Sequence, residues 1–199
     1  MTSSFAQKRL QKELAKVRSS SRIPAGPGVP TAQQLTALGQ IHNNLPPGID
    51  LVSADNLEEW LLDIRVLDQN PIYANQTYRL KFRFSPTYPI GWYPARRRQF
   101  RLAPALTRVA EPPEVVFIKL SDRPIPIHPH IYSNGIICLD LLGQQGWSPV
   151  QNVESVCMSI QSMLTGNNKS ERPPGDEDFV RSNRLRPKDI DFYYHDNKV

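Results

Sequence analysis

The stretch Thr77–Phe84 reads TYRLKFRF and indicates the fold class of this chain of 199 residues. Every second residue from Tyr78 to Phe84 is aromatic or aliphatic, and the residues between them are arginine or lysine. Because successive side chains of a strand point to opposite faces of a sheet, this alternation predicts a half-buried antiparallel strand.

Segments on both sides of this stretch predict further strands. The sequence EWLLDIRV at residues 59–66 alternates in the same way, although Leu61 places an apolar residue on the polar side. The sequence EVVFIKL at residues 114–120 is rich in the β-branched and aromatic residues that favour strands.

Residues 4–17 predict an amphipathic helix before the strands. Leu10, Leu14 and Val17 fall at i, i+4 and i+7, so they share one face of a helix. Ser4, with Gln7 three residues later, fits a capping box. The opposite face is basic, which is consistent with either a solvated face or a surface that docks a partner.

A second helix is predicted after Trp147. Ser148 fits the N-cap, Pro149 the first helical position and Gln151 a capping box, and Gly166 supplies a C-terminal stop. The apolar stripe of this helix includes Cys157, which we interpret as a small core residue. Helices on either side of a run of strands predict an α+β fold, with helices packed against a small antiparallel sheet.

Three segments are predicted to lie outside this core. Residues 19–46 are rich in proline, glycine and serine and predict a linker insertion with a short helical turn at 31–38. Residues 91–112 predict a surface loop insertion. Its basic run, Arg96–Arg98 with Arg101, favours a solvated loop over a nuclear-import or nucleic-acid patch. Residues 181–199 form a charged C-terminal tail that is either a short helix or disordered, which leaves 1–18 and 47–180 as the folded parts.

Composition restricts the functional classes. The chain has 2 cysteines, far apart and with no secretory signal, so a disulfide scaffold is not expected and the expected location is the cytoplasm, the nucleus or both. No apolar run approaches the ~20 residues that a membrane helix needs. The net charge of +5 suits an acidic protein surface or, less specifically, nucleic acid.

The segment 127–142, IHPHIYSNGIICLDLL, concentrates the candidate chemistry. Asn134 and the glycine after it are a strong tight-turn signal, and Pro129 restricts the residue before it. Cys138 is therefore expected on irregular backbone just past a turn, where a thiolate can attack a carbonyl and hold an acyl group. A core position for this cysteine is the alternative.

Two rival chemistries use the same segment. A cysteine protease would need His128 or His130 as a base that a third group orients. A zinc site would use both histidines together with Cys138. The 4 histidines of the chain form no specific pattern and no fourth ligand is evident, so no metal is expected.

These residues resemble the catalytic core of ubiquitin-conjugating enzymes. The motif HPHIYSNGIICLDLL is followed by WSP and a long helix, as in that family. His-Pro-His in place of the usual His-Pro-Asn, QKRLQKEL in the first helix, SVCMSIQSML after the tryptophan and YYHD in the tail are similar to the W type. The resemblance covers about 4–18, 47–90 and 113–196, and it implies a UBC-like α+β fold with 47–180 as the catalytic core.

The resemblance also implies a role for each residue of the motif. Cys138 would accept ubiquitin from the activating enzyme as a thioester, and an amine of a protein substrate would then attack the thioester. His130 would either stabilise the charged intermediate in place of the usual asparagine or only support the loop. The residues implied to support the active-site loop are His128, Pro129, Tyr132 and Asn134.

The implied partners are ubiquitin, the ubiquitin-activating enzyme, ligases of the RING or U-box type and protein substrates. Neither a membrane nor nucleic acid is expected as a partner. No cofactor is expected either, since ATP is used by the activating enzyme. Ligases are expected to dock on the first helix and on two loops, and the activating enzyme is expected to compete with them for the helix. The implied docking residues are Lys8, Arg9 and Lys12 in the helix and Ile90, Pro149 and Val150 in the loops.

The W type is associated with transfer to the α-amino group of protein N-termini. An α-amine has a pKa of roughly 7.7–8.0, against about 10.4 for lysine, so near neutral pH far more of it is uncharged and nucleophilic. Two alternatives are conjugation of another ubiquitin-like modifier and a non-catalytic module that binds ubiquitin or a ligase.

Overall fold

A computed structural model of the chain describes residues 5–18, 45–94, 106–143, 145–190 and 192. The three α-helices found there are α1 (Phe5–Arg18), α2 (Val153–Thr165) and α3 (Asp176–Ser182). Short 3-10 helices span Asp140–Leu142 and Pro187–Asp189. The strands are β1 (Ile49–Ser53), β2 (Glu59–Ile64), β3 (Tyr78–Arg83), β4 (Ile90–Pro94), β5 (Leu106–Ala110) and β6 (Glu114–Ile118).

The main sheet has the order β1-β2-β3-β6 and is antiparallel throughout. The strand predicted from TYRLKFRF is its central strand β3, with Leu62 opposite Leu80 and Leu80 opposite Phe117. These inward side chains are fully buried and pack with the apolar face of α2, as the alternation predicts. The expected α+β fold is therefore confirmed.

Helix α1 is held to the core by a buried carboxylate. Leu10 and Val17 are buried, as predicted, but Glu13 lies between them and is buried as well. Its carboxylate accepts hydrogen bonds from the Tyr88 hydroxyl at 2.9 Å, the Val153 backbone N–H at 3.1 Å and the Arg9 Nε at 2.6 Å. A buried carboxylate is tolerated only when it is paired in this way.

The predicted start of the second helix is wrong. Helix α2 begins at Val153, its N-cap is Asn152, and the capping box is completed by Ser155 rather than by Gln151. A tertiary contact accounts for the later start, because Arg9 of helix α1 donates a hydrogen bond to the carbonyl of Gln151 at 2.9 Å. The predicted end is confirmed, since Gly166 is the C-cap.

The prediction of a surface loop at 91–112 is wrong at both ends of the segment. Strands β4 and β5 pair as an antiparallel two-stranded sheet, with Ile90 opposite Ala110. Glu111, Pro112 and Pro113 after β5 are buried. The basic run at 96–101 lies outside the described residues, as do the predicted linker up to residue 44 and its helical turn at 31–38.

The C-terminal segment packs back onto the core. After α3 ends at Ser182, the 3-10 helix Pro187–Asp189 brings Lys188 into a buried ion pair with Glu111. Of the predicted tail, residues 181–190 and 192 are described and the YYHD sequence is not. Among the described residues, no helix combines the length and the apolar character needed to cross a membrane.

Candidate active site

Cys138 lies on irregular backbone between a tight turn and the 3-10 helix Asp140–Leu142, and its side chain is partly exposed. Its backbone N–H donates to the carbonyl of His130 at 2.8 Å. This bond fixes the backbone of the cysteine to that of the histidine. Cys157, in contrast, is fully buried in α2, where burial raises the pKa of its thiol, so it is the core residue that the helical stripe predicts.

The tight turn before Cys138 is the one that the Asn-Gly pair predicts. Asn134 Oδ1 accepts from the Ile136 backbone N–H at 3.2 Å. Gly135 has φ of +89°, and a Cβ at this position would lie 1.9 Å from the Phe117 carbonyl oxygen. Only glycine combines that conformation with so close an approach, and the turn therefore locks the cysteine segment against β6.

His128 is buried below the loop and is neutral. Its Nδ1 accepts from the His130 backbone N–H at 2.9 Å, and its Nε2 lies 3.3 Å from the Met163 carbonyl in α2, so Nε2 carries the proton. Burial and, after it, the nearby His130 lower the pKa of His128 to about 4. A chain of hydrogen bonds, here called the relay, thus connects α2 to the backbone of the cysteine through Met163, His128, His130 and Cys138.

These contacts weaken both rival chemistries. The two ring nitrogens of His128 are engaged in hydrogen bonds, so this residue suits neither metal binding nor the role of a protease base. In the described ranges, no group of three or more histidine, cysteine, aspartate or glutamate side chains is placed to hold a metal ion. His128 instead bonds to the backbone of His130 and Met163, and Pro129 beside it is half-buried; the loop-support role that the resemblance implies for both residues stays a prediction.

His130 differs from His128 because its side chain is exposed. Its main chain is held at both ends, by His128 through its N–H and by Cys138 through its carbonyl. Within the described part of the chain, the imidazole nitrogens of His130 make no hydrogen bond, and the ring lies 5.4 Å from that of His128. The imidazole therefore does not support the loop by hydrogen bonding there, and it is available to a reacting group.

Tyr132 lies close enough to Cys138 for the two groups to affect each other electrostatically. Burial raises the pKa of its hydroxyl, and the nearby Cys138 thiol group and the Asp176 carboxylate raise it further. Its ring stacks on Phe179 with centroids 3.8 Å apart, and Phe192 lies 6.1 Å away. The stack on Phe179 therefore fixes the position of the Tyr132 ring.

Sequence reasoning missed the residues that hold the loop from below. The Tyr73 hydroxyl donates to the carbonyl of Ile127 at 2.8 Å, and the Arg172 guanidinium donates to three other carbonyls of the loop. Asp176 accepts from the Ser133 N–H at 2.8 Å. No local sequence pattern marks these residues, because the groups that they bind lie far away along the chain.

Some of the predicted docking residues are exposed, and others are half-buried or make contacts within the protein. Lys8 and Lys12 are exposed on α1, and Val150 is 79% exposed in the loop before α2. Ile90 and Pro149 are half-buried. Arg9 makes internal bonds to Glu13 and the Gln151 carbonyl, so it joins α1 to the loop that contains Val150. Their role in partner binding stays a prediction.

The fold and the site together define an enzyme class. A small α+β domain presents a partly exposed thiol on a loop whose backbone is fixed by hydrogen bonds, which suits an acyl-carrying cysteine enzyme.

Comparisons with known proteins identify the family. A model of the ubiquitin-conjugating enzyme family matches residues 110–188. The chain is 34% identical over 200 residues to a Dictyostelium discoideum protein named "Probable ubiquitin-conjugating enzyme E2 W", with both chains covered at 100%. It is 33% identical to the Caenorhabditis elegans ubiquitin-conjugating enzyme E2 W, over 85% of this chain and 97% of that one. The crystal structure of an Agrocybe aegerita ubiquitin-conjugating enzyme superposes with a TM-score of 0.64 at 32% identity, covering 93% of this chain and 99% of that chain.

The chain therefore belongs to the ubiquitin-conjugating enzyme family, and within it the chain is similar to the W type. The predictions of the family, the fold and the enzyme class are confirmed.

Proposed function

We propose that Cys138 carries ubiquitin as a thioester and that the enzyme transfers it to the α-amino group at the N-terminus of protein substrates. The observation that carries the first part is the position of the Cys138 sulfur, partly exposed on a loop whose backbone is fixed by the relay from α2. A nucleophile held in one geometry has less orientational freedom to lose in the transition state.

Loading is a thioester exchange. The Cys138 thiolate attacks the carbonyl carbon of the ubiquitin C-terminus on the activating enzyme, and the thiolate of that enzyme leaves. In the second step an uncharged amine attacks the new thioester, an amide forms, the Cys138 thiolate leaves, and the amine loses one proton to solvent or to a base. ATP is consumed upstream, so the conjugating step itself is proposed to need no cofactor.

His130 is proposed to donate a hydrogen bond to the oxyanion of the tetrahedral intermediate. Its backbone is anchored on both sides and its imidazole is exposed, so the donor can be directed at the intermediate without rearranging the loop. Tyr132 is proposed to limit access to the sulfur, because it lies near Cys138 and its ring is fixed by the stack on Phe179.

The preference for α-amines follows from the small amount of base assistance at the site. Near neutral pH, on the order of one α-amine in five is uncharged, against about one lysine in a thousand or fewer. The Asp176 carboxylate accepts from the Ser133 N–H and is therefore engaged in holding the loop. Glu171, after α2, is exposed and paired with Lys169 at 3.6 Å. With these two carboxylates engaged in other contacts, the site is proposed to favour the amine that is already deprotonated.

The proposed partners follow from the exposed groups. The activating enzyme and RING or U-box ligases would compete for α1 at Lys8 and Lys12, and the ligases would also contact Val150. Location in the cytoplasm, the nucleus or both is proposed on the same basis, since ubiquitin conjugation in those compartments supplies these partners.

The thioester is tested by incubating the protein with activating enzyme, ATP and ubiquitin. The expected product is an adduct that reductant removes, that is lost in Cys138→Ala and that persists in the matched control Cys157→Ala. Parallel reactions with other ubiquitin-like modifiers and their activating enzymes separate the alternatives. An adduct with another modifier and none with ubiquitin would replace the proposal, and no adduct with any would favour a binding module.

Acceptor preference is tested with preloaded enzyme and two peptides. One lacks lysine and has an unmodified N-terminus, and the other contains lysine and has an acetylated N-terminus. The first is expected to be modified at least about tenfold faster at pH 7.4, in line with its larger uncharged fraction. Equal or faster modification of the acetylated peptide would reject the α-amine preference while leaving the thioester intact.

A further inference from the structure

The side chain of Arg172 binds only main-chain carbonyls of the active-site loop. One terminal nitrogen, Nη1, donates to the carbonyls of Pro126 at 2.6 Å and Ile131 at 3.1 Å, and Nη2 donates to the carbonyl of Ile125 at 3.1 Å. These carbonyls lie on both sides of the His-Pro-His sequence. The guanidinium therefore closes the base of the loop that leads to Cys138.

This pattern of bonds requires an arginine. A guanidinium is planar and presents its donors in a fixed fork, whereas a lysine ammonium is a single point that cannot reach three separated carbonyls in the same way. All hydrogen bonds that Arg172 makes in the described part of the chain go to these carbonyls. Its partial burial lowers the pKa of its guanidinium, and the nearby Asp176 opposes that effect.

The same segment makes two further contacts with the loop. Four residues after Arg172, Asp176 accepts from the Ser133 N–H, and Phe179 stacks on Tyr132. Residues 172–179 therefore brace both the start and the end of the loop. The braced loop includes His130, whose imidazole makes no hydrogen bond within the described residues.

We propose that Arg172 is the positioning residue of the active site. It supplies the loop support that the side chain at position 130 does not provide, and it thereby leaves the His130 imidazole to the reacting thioester. Arg172 acts through the backbone of the loop and does not touch the substrate. The inference rests on the proposed role of Cys138 and extends it.

The test separates positioning from folding. Arg172→Met and Arg172→Lys are compared with wild type in single-turnover discharge of preloaded ubiquitin to the lysine-free peptide, over a range of peptide concentrations. Arg184→Met is the matched control, because the Arg184 side chain is exposed and donates to the carbonyls of Arg181 and Asn183, outside the loop.

Arg172→Met is expected to lower the discharge rate at saturating peptide at least about tenfold, because misplacing reacting groups by ~1 Å can cost about 100-fold. The peptide concentration at half-maximal rate is expected to change less than about twofold, since Arg172 does not contact the acceptor. Arg172→Lys is expected to fall between Arg172→Met and wild type, and Arg184→Met to match wild type.

Amide hydrogen exchange supplies the structural readout. In both Arg172 variants the amides of His130, Ile131 and Cys138 are expected to exchange at least about tenfold faster, with β2 and β3 unchanged, because local opening is independent of the core. If Arg172→Met does not fold, Arg172→Lys decides the matter with the same two measurements.

Two different failures can be distinguished. If wild type forms no reductant-sensitive adduct at Cys138, the proposed function fails. If wild type loads and Arg172→Lys discharges within about 1.5-fold of wild type with unchanged loop exchange, the thioester proposal stands and the positioning role of Arg172 is overturned.

Discussion

Protonation of His128 is expected to destabilise the folded protein as the pH falls below the ordinary range of histidine. The side chain is only 4% exposed, and its Nδ1 accepts the N–H of His130. A second ring proton would occupy that acceptor and place a charge in the core. The pKa of His128 is accordingly lowered to about 4, while an unfolded histidine titrates at about 6.5.

The sign and the size follow from linkage. The unfolded chain binds the proton more tightly than the folded one, so the stability is complete above about pH 6.5 and is lost as the pH falls towards 4. The full difference corresponds to about 3 kcal/mol, at ~1.36 kcal/mol for each pH unit between the two pKa values. At pH 5, about 2 kcal/mol of this is already lost.

The assay is urea unfolding at pH 7.5 and pH 5.0 for wild type and His128→Gln, in which a neutral amide replaces the titrating ring. Carboxylates titrate similarly in both proteins, so their effect cancels in the comparison. Wild type is expected to lose about 2 kcal/mol more than the variant between the two pH values. The control His130→Gln removes only the smaller cause of the lowered pKa of His128, so it is expected to keep most of the pH dependence of wild type.

Equal pH dependence in wild type and His128→Gln would refute this reasoning. So would an NMR titration of the imidazole with a midpoint above about 6, because the ring would then not be held neutral by its surroundings.

Three further predictions concern other contacts of the fold. Glu13→Gln is expected to lower the free energy of unfolding by about 2 kcal/mol, since the amide cannot accept all three bonds of the buried carboxylate; urea unfolding at pH 7.5 would contradict this with a loss below about 0.5 kcal/mol. Gly135→Ala is expected to cost about 3 kcal/mol or more, because of its positive φ and the Phe117 carbonyl; a melting temperature within about 2 °C of wild type would contradict it. Charge reversal at Lys8 and Lys12 is expected to slow loading from the activating enzyme about tenfold at low salt and to leave discharge of preloaded enzyme unchanged; equal loading rates would remove both lysines from the docking surface.

Local periodicity was sufficient to predict the main elements. The alternation in TYRLKFRF became the central strand, and the helical spacing of Leu10 and Val17 became the buried face of α1. Both are cases in which one face of a regular element is covered by the core, so the sequence must repeat with the period of that element. The hairpin β4–β5 was missed because its proline-rich, arginine-rich sequence does not have that period.

The start of α2 shows why boundaries are harder. Ser148 and Pro149 have the local chemistry of a helix start, and the chain there forms a turn in which the Gln151 N–H donates to the Ser148 carbonyl. Helix α1 determines the outcome, because Arg9 binds the Gln151 carbonyl and Glu13 binds the N–H of Val153. Asn152 and Ser155 form a capping box at this start, a local pattern that the prediction from Ser148 and Pro149 did not use.

In the candidate site, too, residues with a local sequence signal could be predicted and residues that depend on distant contacts could not. Cys138 and the turn before it could be located because glycine, asparagine and the thiol lie within a few positions of one another. Tyr73 and Arg172 could not, because the carbonyls that they bind are 41 to 54 positions away in the sequence. Backbone carbonyls are present at every residue, so the sequence around an acceptor does not show which distant donor will use it.

The loop backbone is held by residues other than the side chain at position 130, which explains why a histidine is tolerated there. The loop carbonyls are bound by Tyr73 and Arg172, and its N–H groups by His128 and Asp176, all from outside or below the exposed surface. A side chain at position 130 is then under no demand to hold the backbone. Its identity can be selected for what it offers the acceptor and the oxyanion, so replacing it should change the rate of discharge more than the stability of the fold.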